Sequence, residues 1–425
     1  MQRSTHRRRL LARPTVVSLA AAVALTATSC AKSEDDASSA TTSSGAAADA
    51  EQKVASPEPG GKTCTIDAYG AEKLDLKNAT VGFSQSEKEA NQFRIAETQS
   101  IRDEARRRGV KLLTANAQSQ FSKQISDVQD LLAKGADLLV IAPLNSDGWD
   151  PVLKAAAAKK VPIVTIDRKI NATACKDYVS FIGSDFVEQG RRAADQMIEA
   201  TGGKGEVAIL LGAAGNNVTT ERTKGFKDRI AEKAPDLKVV FEQTGDFARE
   251  KGQQVTEQLI QSKPGIKGIY AENDEMGLGA VAALKGAGKK PGDVEIVTVD
   301  GTRNAVQGIV DGWISGVIES NPRFGPLAFQ TLETFTQGEE VAQDIVIEDG
   351  AYDEANAQSD IGKAHLTCPG GPLSRAPLPP PPRNPFPASG GTGGTPRRSP
   401  RRPRTEQDLP RSPGPRRPGP HPARR

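Results

Sequence analysis

Histidine is nearly missing from this chain of 425 residues, with three in all. His6 stands in a basic N-terminal stretch, His365 and His421 lie toward the other end, and none falls in the body between. Nucleophilic catalysis that relies on a histidine base therefore has no base to use. Cysteine is scarce as well: Cys30, Cys64, Cys175 and Cys368, with no C-x-x-C pair. That spacing argues against a zinc or thioredoxin-like centre. Outside the membrane two of Cys64, Cys175 and Cys368 can form a disulfide, and the sequence does not choose the pair. Aromatic residues are only 4% of the chain, too few for a single-strand nucleic-acid binder built on base stacking. There is no Walker A loop and no G-x-G-x-x-G after a strand, and Gly202-Gly203-Lys204-Gly205 lacks the phosphate-loop spacing. No catalytic residue, metal or cofactor is expected.

The two ends differ from the middle. Arg7-Arg8-Arg9 precedes an apolar stretch, Val16 to Ala27, too short to span a bilayer. This reads as an export signal over residues 1–29. Its last residues, Ala27-Thr28-Ser29, lead into Cys30 and resemble a bacterial lipobox, so Cys30 is the expected lipidation site, although Ala27 stands where leucine is usual. Residues 30–77 read as a flexible linker, because Ala31 to Gly61 is Ser/Ala/Thr-rich with almost no large apolar side chain. Residues 370–425 are Pro/Arg-rich without apolar periodicity, and a disordered tail is expected there. No further segment is long and apolar enough to be a transmembrane helix.

Between the ends runs a regular beat. Apolar strand-like runs (Ala79–Ser84, Asp137–Ala142, Val161–Asp167, Val207–Gly212, Ile269–Ala271, Glu295–Asp300) alternate with amphipathic helical stretches. Helices are expected at about 91–108, 121–134, 220–233, 248–261, 276–286 and 303–311. Crossovers this short favour parallel sheets with right-handed connections. Two similar series imply an α/β chain of two doubly wound, Rossmann-like lobes facing a cleft. Asp167, Arg168, Asn273 and Asp300 close or follow their strands, where open parallel sheets receive ligands. Asp274 and Glu275 read as capping, solvated residues of the next helix.

The ordered set of segments resembles the periplasmic sugar-binding proteins of the ribose/galactofuranose type, the solute receptors of ABC importers. The matching pieces include Val81-Gly82-Phe83-Ser84-Gln85, Gly148-Trp149-Asp150-Pro151, Ile166-Asp167-Arg168, Gly245-Asp246-Phe247-Ala248-Arg249, Ala271-Glu272-Asn273-Asp274 and Val299-Asp300-Gly301. The resemblance covers about residues 79–361. It implies two lobes joined by a three-segment hinge, 78–183 with 322–349 and 184–321 with 350–369. A late helix, about 324–337, would return to the first lobe. It also implies a ligand site of Asn91, Phe93, Arg94, Asp167, Arg168, Arg222, Phe247, Asn273 and Asp300, with Ser84, Glu319 and Arg323 as secondary candidates. The residue types suit a sugar: carboxylates accept from hydroxyls, Arg and Asn donate, and a ring covers the apolar C–H face. Phe93 stands where the galactofuranose type has tryptophan, the Ser86–Asn91 loop departs in sequence, and Glu319 and Arg323 do not reproduce the ribose-type glutamine. The resemblance implies a monomeric lipoprotein of the cell envelope, with a monosaccharide and membrane permease subunits as partners and no nucleic acid. A sugar sensor without transport, or a carbohydrate-active enzyme with paired carboxylates, are the alternatives. A LacI-type regulator would need an N-terminal helix-turn-helix where the export signal stands.

Overall fold

The computed structural model describes residues 52–55 and 61–364. The expected signal, Cys30, Cys368 and the tail 370–425 lie outside the described residues. The alternating pattern becomes two sheets. The first runs, in spatial order, β13 (Asp344–Ile347), β6 (Ser180–Ser184), β5 (Ile163–Ile166), β4 (Leu138–Ile141), β2 (Thr80–Gln85) and β3 (Lys111–Asn116), all parallel. The second runs β14 (Ala351–Tyr352), β11 (Gly316–Glu319), β10 (Glu295–Asp300), β9 (Gly268–Ala271), β7 (Gly205–Leu211) and β8 (Leu237–Thr244), parallel except for β14. In both, the first strand of the series sits next to the last place in that order, so the chain reverses direction across the sheet beside it. That switch point opens a crevice at the carboxyl ends of the strands. Every residue of β4 and β5 is buried, as expected of parallel strands covered on both faces.

The chain crosses between the lobes three times. It passes from β6 into the helix Phe186–Thr201, from β11 into the helix Gly325–Gln337, and from β13 to β14. The helix Phe186–Thr201 is absent from the sequence expectations. Its signals were present: Asp185 caps it by accepting from the Glu188 N–H, and Gly202 ends it in the left-handed conformation. This helix approaches the helix Asn217–Lys233 at Gly190, where a Cβ would lie 2.2 Å from the Arg222 carbonyl oxygen. The helix Gly325–Gln337 packs on Gln92–Arg108, with the Gly325 N–H donating to Ser100 Oγ at 2.9 Å.

The expected linker 30–77 extends too far. Residues 61–77 are folded: β1 (Thr63–Cys64) pairs antiparallel with β12 (Val341–Ala342), and Ile66 and Leu76 are buried. Tyr69 meets Phe335 edge to face with centroids 5.8 Å apart. Cys64 is bonded to Cys175, which settles the open pairing. Even Val54 bridges to Ile347, and the Ala55 N–H donates to the Val346 carbonyl. The physical reason is local: Cys64, Ile66, Tyr69, Leu74 and Leu76 supply apolar surface that the stretch before Gly61 lacks. Among the described residues no helix is long and apolar enough to cross a membrane.

Candidate functional site

Between the two lobes lies a cavity with about 320 Å³ of empty space, part of it open to solvent. All nine primary candidate residues line it, together with Glu87 and Val218.

The wall from the first lobe is an ion-pair lattice. Asn91 caps the helix Gln92–Arg108 by accepting from the Arg94 N–H at 2.8 Å, which fixes the start of the arginine. Arg94 Nη1 donates to Asp167 Oδ2 at 2.7 Å and to Glu97 Oε2 at 2.8 Å. Arg94 Nε donates to Glu87 Oε2 at 3.1 Å. The other oxygen of Glu87 accepts from Arg168 Nη2 at 2.7 Å. Burial would raise the Glu87 carboxyl, but Arg168 and Arg94 overcome it and hold it at about 2. Glu97 behaves oppositely: burial pushes it up to about 7 against the pull of Arg94, with Asp167 adding to the rise. Burial opposes the charge of Arg94, yet Asp167, Glu87 and Glu97 hold its guanidinium firmly protonated. Arg168 Nε is buried and makes no hydrogen bond.

The wall from the second lobe is poorer in positive charge. Arg222 lies in the second turn of the helix Asn217–Lys233, not at its very start. Its Nε donates to Gln189 Oε1 at 2.8 Å, its Nη1 to the Glu272 carbonyl, and its Nη2 stands 3.9 Å from Asp300 Oδ1. Burial, then the nearby Asp274, pushes the Asp300 carboxyl well above the usual range. Asp274 is fully buried and accepts from the Thr302 N–H at 2.7 Å, which corrects the expectation of a solvated residue. Burial pushes it, and likewise Glu272, up to about 7. Glu275 pairs with Arg249 at 2.8 Å. Asn273 caps its helix through the Met276 N–H at 3.0 Å and donates to the Phe247 carbonyl at 3.2 Å.

Three cavity residues have left-handed backbones: Asp167 at φ 64°, Phe247 at φ 56° and Asp300 at φ 134°. Such conformations cost on the order of 1–3 kcal/mol each in a non-glycine residue and gather at ligand clamps. The Phe247 ring occupies space that only glycine leaves: a Cβ on Gly212 would lie 2.0 Å from its Cζ. From there the ring reaches the other lobe, with the Arg168 guanidinium 5.5 Å from its centroid. The lobes also meet where the Ser146 N–H donates to the Gly215 carbonyl at 2.8 Å and the Lys169 N–H to Asn217 Oδ1 at 3.0 Å.

Arg222 is linked onward to the crossing segments. Gln189, which accepts from it, donates to Asp349 Oδ2 at 2.7 Å and to the Glu319 carbonyl at 3.3 Å. Ser184 Oγ donates to the other Asp349 oxygen at 3.1 Å. The three secondary candidates are not in the cavity wall. Ser84 is buried and its Oγ accepts from Gln124; Glu319 accepts from the Gly350 N–H at a crossing; Arg323 stands beyond the lining residues. Sequence reasoning missed Glu87, and its only signal was that the Ser86–Asn91 loop departs from the related pattern.

Two like-ordered α/β lobes, crossed three times and closed on a polar cavity, define a bilobal ligand-binding protein. The chain matches the periplasmic binding protein domain over residues 81–340 and belongs to that family. It is 36% identical to the galactofuranose-binding protein YtfQ of Escherichia coli, covering 60% of this chain and 81% of that one. A Mycobacterium smegmatis protein solved in complex with β-D-fucofuranose is 37% identical, with a TM-score of 0.64, over 66% of this chain and 93% of the other. The periplasmic binding component of the arabinose ABC transporter from Shewanella sp. ANA-3, bound to α- and β-L-arabinofuranose, is 36% identical with a TM-score of 0.64, over 67% and 95%.

Proposed function

We propose that this chain is the extracytoplasmic solute receptor of an ABC importer and that it captures a monosaccharide, in furanose form, between its lobes. The observation that carries this reading is the convergence of nine hydrogen-bonding and aromatic residues from both lobes on one small cavity. Asp167 accepts from ligand hydroxyls, Arg168 Nε and Arg222 donate, and Phe93 and Phe247 cover the C–H faces. The furanose preference follows from the ligands named for the relatives. The protein performs no chemistry on its ligand and acts as a monomer. Closure about the crossings presents both lobes to membrane permease subunits. Cys30 carries the lipid anchor that keeps the receptor at the cell envelope.

The test is thermal-shift screening of the purified chain against neutral monosaccharides, including L-arabinose, D-galactose, D-fucose and D-ribose. A ligand that binds only the folded state raises Tm. At least one of them shifts Tm in a saturable manner; a flat response across the panel sinks the sugar reading. For the anchor, Cys30→Ala releases the protein from membranes or blocks processing. A processed variant that stays membrane-bound contradicts it.

A further inference from the structure

Three guanidiniums, Arg94, Arg168 and Arg222, face one cavity. Guanidiniums gathered in this way are the usual makings of a carboxylate or phosphate site. Glu87 changes that outcome. Each of its oxygens goes to a different arginine, Oε2 to Arg94 Nε at 3.1 Å and Oε1 to Arg168 Nη2 at 2.7 Å. Arg94 has two further carboxylate partners, Glu97 and Asp167. Arg168 has no other close one: the nearest Asp167 oxygen is 3.6 Å from its Nε, and its Nη1 bonds only backbone carbonyls, at 3.4 Å. Both Glu87 oxygens are spent on these arginines, and its side chain is 12% exposed. Glu87 therefore contributes charge and alignment in place of a ligand contact.

We propose that Glu87 is a specificity-determining residue of the cleft: by neutralising Arg94 and Arg168 together, it reserves the cavity for uncharged polyhydroxylated ligands and turns anionic ones away. It resides on the loop between β2 and the helix Gln92–Arg108, outside any element. Substitution there changes the charge of the cavity without disturbing a strand or a helix. A protein discriminates as much by what it repels as by what it holds, and at the first-lobe wall an anion would meet Glu87 and Asp167 beside guanidiniums that are already paired. The inference rests on the sugar-cleft reading for its natural ligand, but its charge argument does not.

The experiment is calorimetric titration of the full chain and of Glu87→Gln with inorganic phosphate and, separately, with the neutral sugar panel. Wild type shows no phosphate binding, whereas Glu87→Gln binds phosphate saturably, since an unshielded guanidinium makes charge-assisted bonds to it. Glu87→Asp, which keeps the charge, behaves as wild type toward phosphate. Phosphate binding by wild type, or equal affinities in wild type and Glu87→Gln, overturns the proposal. Should Glu87→Gln fail to fold, Glu87→Ala is read in the same way, and the wild-type titration stands without either variant. If no neutral sugar binds wild type while the phosphate contrast holds, the sugar reading fails and the charge assignment survives.

Discussion

The two walls of the cavity use the same residue types in different proportion. In the first lobe, two guanidiniums serve the carboxylates of Glu87, Glu97 and Asp167. In the second lobe, Arg222 is the guanidinium near Asp300 and Glu272, with Asp274 beside Asp300 and Asp349 on the crossing segment. The first wall can keep its charges because most are paired. The second cannot, and burial pushes Asp274, Glu272 and Asp349 to about 7 and Asp300 well above the usual range. One wall is a charged lattice set before the ligand arrives. The other is a set of carboxyls that burial biases toward the protonated form, with a strained backbone at Asp300 and Phe247. Glu97 is the exception in the first wall: it shares Arg94 with Asp167 and Glu87, and its carboxyl rises to about 7.

The sharpest way to break this contrast is to delete one arginine from each wall. Arg94→Ala strands buried carboxylates and destabilises the fold by about 3–5 kcal/mol. Arg222→Ala removes bonds to an amide, a carbonyl and an already near-neutral carboxyl, and costs about 1–3 kcal/mol. Urea unfolding of both variants at neutral pH reads the difference; equal losses would mean that the walls do not differ in charge state.

A second effect lies in affinity for whichever neutral sugar the screen identifies. Asp167→Asn removes the charge that Arg94 holds at 2.7 Å, and weakens binding about ten- to a hundred-fold, the worth of a bond to a charged group. Asp300→Asn replaces a carboxyl whose burial disfavours its charge with a neutral amide of the same shape, so its loss stays below about ten-fold. Calorimetric titration orders the two. The reverse order would place the working charge in the second lobe.

Much of this contrast was legible in the sequence, and the unread part has a physical cause. Strands such as Leu138–Ile141 announce themselves as short apolar runs, and Asp167, Arg168 and Asp300 stand at strand ends. Glu87 could not be read, because its role depends on two arginines 7 and 81 residues away in sequence. The burial of Asp274 escaped for a similar reason: a residue at a helix start reads as solvated unless the Thr302 N–H that it accepts from is known to lie above it. The disulfide partner of Cys64 and the folded stretch before Thr80 are likewise matters of tertiary contact. Local pattern gave periodicity and strand ends; contacts across long separations decided charge and pairing.

The third effect is on stability against pH. Asp274 rises from 3.8 to about 7 on folding, so the folded state binds more protons than the unfolded state between those values. Its stabilising contribution is complete below about pH 4 and is lost as pH rises through about 7. Glu87 runs the other way, from 4.5 to about 2: its contribution is present above about pH 4.5 and lost as pH falls toward 2. Asp274→Asn accordingly flattens the decline in stability between about pH 4 and pH 7 and leaves the acid limb unchanged. Denaturant unfolding across that range measures it. An unaltered slope in the variant refutes the protonated second wall.

The smallest effect concerns the place where the walls touch. The Lys169 N–H of the first lobe donates to Asn217 Oδ1 of the second at 3.0 Å. This bond exists only when the lobes are together, so it adds to the closed form alone. Asn217 is the first residue of its helix, whose cap is Asn216, so Asn217→Ala leaves the cap in place. A neutral hydrogen bond contributes about 0.5–1.5 kcal/mol net, and losing one lowers sugar affinity by roughly two- to ten-fold. Each lobe also has a cluster of its own, around Phe83 and Phe335 in the first and Phe226 and Tyr270 in the second, so Tm without ligand stays within error of wild type. Small-angle scattering at half-saturating sugar should show a larger open fraction than wild type at the same concentration, because the variant closes less readily for a given occupancy. Loss of Tm without loss of affinity would assign the bond to folding within a lobe, and the contact would then have no part in how the two walls come together.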